Sequence, residues 1–337
     1  MKTLFGKKDC RLDIIPVGRV AIDFNPTDMN RPLSESSNFN KYLGGSPANI
    51  AVGMARFGRR VGFLAKVSDD QFGDYVTDYF VNEGIDVSHV TRCHNGECLG
   101  LTFTEILSPE KSSILMYREG AADLMLHPDD VDEAYIASSR SLLISGTSLC
   151  TSPTREAALK ALAFALKQGV TVIFDADYRA YIWKNKDEIA LYTSLVAEKA
   201  DIILGSREEF DLMEKLTGLD GTDAASAAYW QKKGVSVLVI KHGKEGSFCY
   251  SASGNYRVRP FPVKAMKGFG GGDGYASAFL HGLLSEKSLP EALTMGSASA
   301  AMLVASHACS RDMPREEQLL EFINEKQSEC GSVVTEL

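Results

Sequence analysis

The chain lacks the long apolar run of a transmembrane segment and the apolar core of a signal peptide near its N-terminus. It also lacks a basic excess, because 44 aspartates and glutamates outnumber 36 lysines and arginines, for a net charge of −8. Nucleic-acid-binding surfaces usually carry a positive excess. We therefore expect a cytoplasmic protein with neither a nucleic-acid nor a membrane partner.

Several common site motifs are also missing. There is no GxxxxGK[ST] sequence, which excludes a P-loop, and the glycines lack the GxGxxG spacing of a dinucleotide fold. The seven cysteines are scattered, and no histidine–cysteine spacing resembles a zinc site. We interpret them as free thiols in a reducing compartment.

What the chain does have, from about residue 141 onward, is an alternation of short apolar runs with amphipathic stretches. This pattern predicts a βαβ array with a buried parallel sheet. The strands are predicted at 141–145, 171–175, 201–205 and 235–241. Helices are predicted at 153–169, 185–199, 206–217, 222–233, 289–307 and 315–327.

The first third of the chain is mixed. Core strands are predicted at 13–18 and 61–67, around a helix over 47–57. Shorter alternating stretches predict a small antiparallel lid, with strands at 20–24, 37–43, 98–106 and 112–118. We expect one domain over residues 10–330, with lid strands drawn from about 20–43 and 98–118. Because unpaired strand edges invite pairing, the lid favours a homodimer.

The most informative segment is Lys267–Leu280, KGFGGGDGYASAFL. Its three consecutive glycines, Gly270, Gly271 and Gly272, precede Asp273 at the start of a predicted helix. Glycine N–H groups and the helix N-terminus together form an anion site, and a carboxylate there can take a proton from a hydroxyl group. This arrangement matches phosphoryl transfer to an alcohol. A flexible loop followed by an ordinary aspartate N-cap is the alternative.

Residues 267–273 resemble the C-terminal signature D-T-x-G-A-G-D of the ribokinase-like (PfkB) carbohydrate kinases. Residues 44–49, GGSPAN, resemble the family's N-terminal signature, a Gly-Gly pair followed by an asparagine on a helix. The resemblance extends from Gly18 to Pro314. It implies a three-layer αβα domain with a mostly parallel central sheet and a small β-sheet lid, which uses ATP and Mg²⁺ to phosphorylate a small sugar between lid and sheet.

The resemblance also implies roles for individual residues. Asp273 would be the general base, and the amides of Gly270, Gly271 and Gly272 the anion hole. Glu209, on the last position of an N-x-x-E motif, would organise magnesium through water. The positions that would contact the sugar are Asp23, Gly44, Gly45 and Asn49. The positions that would border the nucleotide are Lys241, Gly243, Gly246 and Lys267.

Simpler structural roles are open for some of these residues. Gly44 and Gly45 could form only a turn, with Ser46 as N-cap and Pro47 at N1 of the following helix. Glu209 could merely complement a helix dipole. Lys267 and Gly268 stand where the signature has Asp and Thr, so dependence on a monovalent cation is open. Ser206 stands where N-x-x-E has Asn, so the outer shell of the magnesium could differ from the family's. Lys267 could instead place positive charge near the transferring phosphate.

Three segments, at 42–58, 117–126 and 174–183, resemble kinases of acid sugars within the family. An acid sugar needs a cation for its carboxylate, and Arg118 and Arg179 are the candidates. Ordinary ion pairs are the alternative for both arginines. The expected acceptor is 5-dehydro-2-deoxy-D-gluconate, phosphorylated at position 6 in inositol breakdown. The alternatives are 2-keto-3-deoxygluconate, fructose, ribose or a nucleoside as acceptor, or a catalytically silent sugar- or nucleotide-binding regulator.

Overall fold

The computed structural model describes residues 4–337 and divides the chain into two compact units. The sheet unit comprises the residues up to Gly18, residues 126–259 and the residues from Val334 onward. The motif unit, named for the two signatures it contains, comprises residues 19–125 and 260–333. None of the helices between residues 4 and 337 combines the length and apolarity needed to span a bilayer.

Both units contain strands and helices. In the part of the chain that the structure describes, the strands are β1 (Ile15–Val17), β2 (Ala21–Pro26), β3 (Phe39–Gly44), β4 (Ala65–Val67), β5 (Val90–Arg92), β6 (Gly100–Ser108), β7 (Lys111–Tyr117), β8 (Ser141–Ser145), β9 (Thr171–Asp175), β10 (Ile202–Ser206), β11 (Val237–Lys241), β12 (Ser247–Ser251), β13 (Gly254–Val258) and β14 (Val334–Glu336). The α-helices are α1 (Ser46–Arg56), α2 (Gln71–Asn82), α3 (Glu133–Ala137), α4 (Thr154–Gln168), α5 (Lys186–Ala197), α6 (Arg207–Met213), α7 (Asp223–Lys233), α8 (Gly271–Leu284), α9 (Leu289–Val304) and α10 (Glu316–Cys330).

The sheet unit is built on one eight-stranded sheet with the order β1-β8-β9-β10-β11-β12-β13-β14. The first five strands are parallel, and β12, β13 and β14 each pair antiparallel with the strand before them in that order. Every residue of β8 and β9 is buried, which explains why these strands are apolar on both faces. The predicted α/β class with a mostly parallel central sheet is confirmed.

Helix ends in this unit follow local chemistry. The helix predicted over 153–169 runs over Thr154–Gln168, and Gly169 ends it in the left-handed conformation, with φ at 65°. Glycine adopts this conformation without the steric penalty of a side chain. The helix predicted over 206–217 is shorter and ends at Met213.

The motif unit contains the small sheet, whose order is β3-β2-β6-β7. It corresponds to the four predicted lid strands, but the expectation of a wholly antiparallel sheet is wrong, because β2 pairs parallel with β6. A long connection separates these two strands, and it allows the parallel pairing. The core strand predicted at 61–67 is also wrong in extent and place. Only β4 forms there, and it pairs with β5 in a separate two-stranded sheet.

Candidate active site

The glycine loop before α8 is shaped by close contacts that exclude side chains. Gly270 is the N-cap of α8 and has a φ of 84°, in the left-handed region. A Cβ atom on Gly270 would lie 2.5 Å from Sγ of Cys309, and one on Gly271 would lie 3.0 Å from Cγ1 of Val304. Because the first N–H groups of a helix have no partner within it, this loop presents donors to an anion.

Asp273 lies in the first turn of α8, and two side chains from α1 orient its carboxylate. Oδ1 accepts a hydrogen bond of 2.8 Å from the hydroxyl of Ser46, and Oδ2 accepts one of 2.7 Å from the amide of Asn49. Ser46 and Asn49 are buried. Asp273 is therefore held beside the donors of the glycine loop, and its role as a general base stays a prediction.

The start of α1 differs from the sequence-based alternative. Gly45, with a φ of 100°, is the N-cap of α1, and Ser46 is already the first residue of the helix. The interpretation of Ser46 as a cap is therefore wrong, because its hydroxyl donates to Asp273 instead. Residues three apart share one face of a helix, so the spacing of Ser46 and Asn49 was the available signal for their joint role.

The Gly44–Gly45 pair is required by its surroundings. A Cβ atom on Gly44 would overlap the carboxylate of Asp23 on β2, and one on Gly45 would overlap the carbonyl oxygen of Arg19. Asn49 has a further feature, since its buried Oδ1 has no hydrogen-bond partner among residues 4–337. A buried acceptor of this kind is normally satisfied, so a ligand hydroxyl or a water molecule is the expected partner.

Lys267 lies at the start of the same loop, and its side chain is completely buried. Its Nζ donates a hydrogen bond of 2.6 Å to the carbonyl oxygen of Ala308. Burial lowers the pKa of this ammonium group, against the attraction of nearby acidic groups that include Asp273. The sequence-based position of Lys267 at the nucleotide stays a prediction.

In the sheet unit, the carboxyl ends of parallel strands gather a second set of candidate residues. Asp177, two residues beyond β9, is buried and has a φ of 33°. Its carboxylate accepts from the Ser145 hydroxyl at 3.1 Å and pairs with Arg179 at 2.7 Å. Lys241 ends β11, with its Nζ 3.9 Å from Asp175. Ligands of open α/β sheets bind at this edge.

Glu209 is held at the start of α6 by backbone donors. Its Oε2 accepts from the N–H of Ser206 at 2.6 Å, and its Oε1 accepts from the N–H of Tyr178 at 2.7 Å. The Ser206 hydroxyl accepts from the N–H of Glu209 in return, which completes a capping box. Each carboxylate oxygen retains acceptor capacity, so the arrangement fits magnesium held through water as well as helix capping.

The turn after β11 requires both of its predicted glycines. Gly243 and Gly246 have φ values of 56° and 97°, which side-chain-bearing residues rarely adopt. The N–H of His242 donates to the carbonyl oxygen of Gly246 at 2.7 Å and closes the turn. The geometry explains the glycines, and their contact with a nucleotide stays a prediction.

The two candidate arginines differ in exposure. Arg118 donates from Nε and Nη2 to Oδ2 of Asp123 at 2.9 and 2.6 Å, and only 4% of its side chain is exposed. The side chain of Arg179 is 33% exposed and pairs with Asp177. Both arginines therefore make the ion pairs considered as alternatives, and Arg179 is the more accessible to a substrate.

A carboxylate fixed beside a glycine loop at a helix N-terminus, on this α/β fold, defines a small-molecule kinase. The chain belongs to the pfkB family of carbohydrate kinases, whose sequence model matches residues 11–316. The family expected from the two signatures is confirmed, and the protein is a carbohydrate kinase.

Named relatives give the same class, and a solved structure gives the same fold. The chain is 62% identical over 325 residues to a 5-dehydro-2-deoxygluconokinase of Clostridium perfringens, covering 96% of each chain. It is 48% identical over 315 residues to a 5-dehydro-2-deoxygluconokinase of Geobacillus kaustophilus, covering 93% of this chain and 94% of the relative. A fructokinase from Xylella fastidiosa, solved with bound ATP, has a TM-score of 0.83 at 22% identity, covering 94% of this chain and 99% of the fructokinase. That likeness is one of fold.

Proposed function

We propose that the protein transfers a phosphoryl group from ATP to the primary hydroxyl of 5-dehydro-2-deoxy-D-gluconate, yielding the 6-phosphate and ADP. The reaction would take place in the cytoplasm, as a step of inositol catabolism. The observation that carries the proposal is the Asp273 carboxylate, held by Ser46 and Asn49 at the glycine-rich start of α8. The names of relatives at 48–62% identity support the choice of acceptor.

Asp273 would act as the general base. As the acceptor oxygen bonds to the γ-phosphorus, its proton passes to the Asp273 carboxylate, and the bond to the leaving ADP oxygen breaks. General base catalysis of this kind contributes about 10²- to 10⁴-fold in rate. The bonds from Ser46 and Asn49 keep the carboxylate aimed and favour its ionised form.

The amides of Gly270, Gly271 and Gly272 would stabilise the negative charge that spreads over the transferring phosphoryl group. Donors fixed in advance at a helix N-terminus do this without reorganisation during the reaction. The crowding at Gly270 and Gly271 supports this role, since a side chain there would displace the loop.

Glu209 would hold magnesium through water, and Lys241, Gly243 and Gly246 would border the nucleotide. Bound magnesium offsets the charge of the ATP phosphates. The two backbone N–H donors that fix the Glu209 carboxylate would orient the water molecules that it accepts.

Acceptor recognition would combine hydroxyl and carboxylate contacts. Asp23, Gly44, Gly45 and the unsatisfied Oδ1 of Asn49 suit hydroxyl groups. Arg179, the more exposed of the two candidate arginines, suits the acid group through its planar guanidinium. Arg118 would support the site from its buried pair with Asp123.

The test is an ADP-release assay with Mg-ATP and a panel of acceptors: 5-dehydro-2-deoxygluconate, 2-keto-3-deoxygluconate, fructose and ribose. We expect the highest kcat/KM with the first, and a rise of about tenfold or more in its KM for Arg179→Ala, from loss of a charge-assisted hydrogen bond. Highest efficiency on an uncharged sugar, undiminished by Arg179→Ala and Arg118→Ala, would overturn the acid-sugar assignment. Absence of ADP release with every acceptor would favour a silent binding protein.

We also propose a homodimer formed through the small sheet. Its strand β7 lies at one edge, and Leu115 and Tyr117 on that strand are exposed. An unpaired edge with apolar side chains can pair with a second copy. Sedimentation analysis should give twice the monomer mass, and Leu115→Lys should reduce it; a monomeric wild type would refute the proposal.

A further inference from the structure

We propose that Lys267 is a positioning residue whose buried ammonium group is a fixed internal cation. It would tie the glycine loop to the segment after α9 and favour the ionised form of Asp273, without touching the nucleotide. The inference rests on the proposed function, because it concerns the same base and the same transfer step.

The attachment is made by both backbone and side chain. The N–H groups of Met266 and Lys267 donate to the carbonyl oxygen of Val304, at 2.8 and 3.2 Å. The Lys267 ammonium then donates to the carbonyl oxygen of Ala308 at 2.6 Å. Residues 266–267 are therefore joined to the last residue of α9 and to a point four residues beyond it.

The lysine stem lies directly against the glycine loop. A Cβ atom added to Gly270 would be 3.6 Å from Cε of Lys267, so the lysine stem borders the space that a side chain on Gly270 would enter. The ammonium group also lies 5.4 Å from the centroid of the Phe269 ring, within the range of a cation–π interaction. Movement of this side chain would be transmitted to Gly270, the N-cap of α8.

The charge itself is the unexpected feature. No part of Lys267 is exposed, and burial lowers the pKa of its ammonium group. Replacing a buried charged group by an apolar one of similar volume is often neutral or stabilising, so stability alone does not account for a lysine here. The titratable groups that act on this ammonium group are Cys309, Asp312, Asp273 and Asp23. An electrostatic role accounts for the lysine, because its attraction to Asp273 is mutual and favours the carboxylate that would accept a proton.

The direction of the Lys267 ammonium group distinguishes two possible roles for this residue, binding the ATP phosphates or positioning the glycine loop and Asp273. A lysine that held ATP phosphates would need an ammonium group open to the ligand, and its loss would raise the KM for ATP. The ammonium group of Lys267 points at Ala308 and has no exposed surface. Its loss should therefore lower kcat and leave the KM for ATP nearly unchanged.

The experiment compares Lys267→Met, which keeps most of the volume and removes the charge, with Lys264→Ala, a change at an exposed lysine three residues earlier. We expect Lys267→Met to lower kcat about 10- to 100-fold, as losses of supporting groups around a reactive centre do. Its melting temperature should equal or exceed that of the wild type. The acidic limb of its pH–rate profile should move to higher pH, because Asp273 loses an attractive charge. Lys264→Ala should match the wild type.

A second variant tests the charge directly. In Lys267→Ala, added methylammonium should restore part of the lost kcat, whereas an equal concentration of tetramethylammonium, too large for the space, should not. A normal kcat for Lys267→Met, a selective rise in the KM for ATP, or a strongly lowered melting temperature would each overturn the positioning role. All rates are measured with the acceptor that the wild type uses best. If the proposed acceptor is wrong, the wild type itself will prefer another acceptor. If the role of Lys267 is wrong, the wild type will behave as proposed and only the Lys267 variants will depart from the expected results.

Discussion

Two carboxylates occupy the same position in different helices, but they accept hydrogen bonds from different kinds of donor. Glu209 and Asp273 are each the third residue after the N-cap, in α6 and α8. Glu209 accepts from the backbone N–H groups of Ser206 and Tyr178. Asp273 accepts from two side chains of another helix, Ser46 and Asn49.

The N-cap residue explains part of this difference. Ser206 supplies a side chain and an N–H group for a reciprocal capping box, and the longer Glu209 side chain reaches back to it. Gly270 has no side chain and adopts a φ of 84°, and no capping box forms at α8. The Asp273 carboxylate therefore faces α1 instead of its own helix end.

The kind of donor decides what each carboxylate can do. Backbone N–H groups are fixed parts of the fold, so Glu209 is held for as long as α6 is formed. A hydroxyl and a side-chain amide can rotate, so under the proposed mechanism Asp273 would be able to exchange one of these partners for a substrate hydroxyl. If the proposed function holds, the same helix position would serve to orient metal-bound water in one unit and to transfer a proton in the other.

The largest expected effect comes from removing the base. Asp273→Asn keeps the shape and one acceptor oxygen but cannot take a proton, so kcat should fall by roughly 10³-fold. The melting temperature should change little, and exposed Asp129→Asn in the sheet unit serves as the matched control. Phosphate transfer by Asp273→Asn at the parental rate would show that this carboxylate is not the base.

The second-largest effect is expected at Glu209, where one substitution removes the charge and keeps the capping hydrogen bonds. Glutamine can replace glutamate in a capping box, so Glu209→Gln should keep the stability of the wild type. Its kcat/KM should fall about 10- to 100-fold, with a higher magnesium concentration for half-maximal rate, because the charge that orients metal-bound water is lost. Glu209→Ala should show the same kinetic loss and also unfold about 1 kcal/mol more easily. An unchanged magnesium requirement in both variants would show that Glu209 caps the helix and does not hold magnesium.

The strands of the sheet unit show what a sequence can predict. Strands β8 and β9 were predicted to the residue, because continuous apolar runs bounded by polar residues are typical of strands buried on both faces. The turn glycines were also predictable, since Gly169 ends α4 in a conformation that depends only on local geometry. Both features are set by residues within a few positions of each other.

The contacts of the candidate site depend instead on distant parts of the chain. Ser46 and Asp273 are 227 residues apart in sequence, and their bond depends on the conformation of Gly45 at the start of α1. The parallel pairing of β2 with β6 also joins segments that are far apart in sequence. It could not be predicted, because the apolar pattern of a strand does not specify which strand lies beside it. Motifs therefore pointed to candidate residues, whose roles stay predictions, but they could not give the hydrogen-bond partners of those residues.

A smaller kinetic effect would sharpen the distinction between the two kinds of donor. Ser46→Ala removes one hydrogen bond to a charged carboxylate, worth about 1.5 kcal/mol, which corresponds to about tenfold in rate if it is lost in the transition state. Because that bond favours the ionised form of Asp273, the acidic limb of the pH–rate profile should also move to higher pH. Ser46→Thr, which keeps the hydroxyl, should recover most of the rate. Equal rates for the alanine variant and the wild type would show that Asn49 alone suffices.

The smallest kinetic effect is expected at Asp70, a carboxylate that starts a helix without a glycine loop. As the N-cap of α2, it accepts from the backbone N–H groups of Phe72 and Gly73 and from the Ser68 hydroxyl. Burial acts to raise the pKa of the Asp70 carboxyl, but these hydrogen bonds together outweigh it and lower the pKa. Asp70→Ala should therefore leave kcat unchanged and reduce the free energy of unfolding by about 1 kcal/mol.

The pH dependence of that loss distinguishes a structural carboxylate from a catalytic one. Because the pKa of Asp70 is lower in the folded protein, its charge stabilises the fold above the unfolded-state pKa of about 4 and ceases to do so as pH falls through the folded-state value. Urea unfolding from pH 7 downward should thus show the difference between wild type and Asp70→Ala shrinking in acid. A difference that grew in acid, or a reduced kcat at pH 7, would contradict the assignment. The donors of Asp70 are mostly backbone N–H groups, as are those of Glu209. A loss of stability with an unchanged kcat would therefore agree with the view that backbone donors hold a carboxylate in place. Side-chain donors, as at Asp273, would leave a carboxylate free to react.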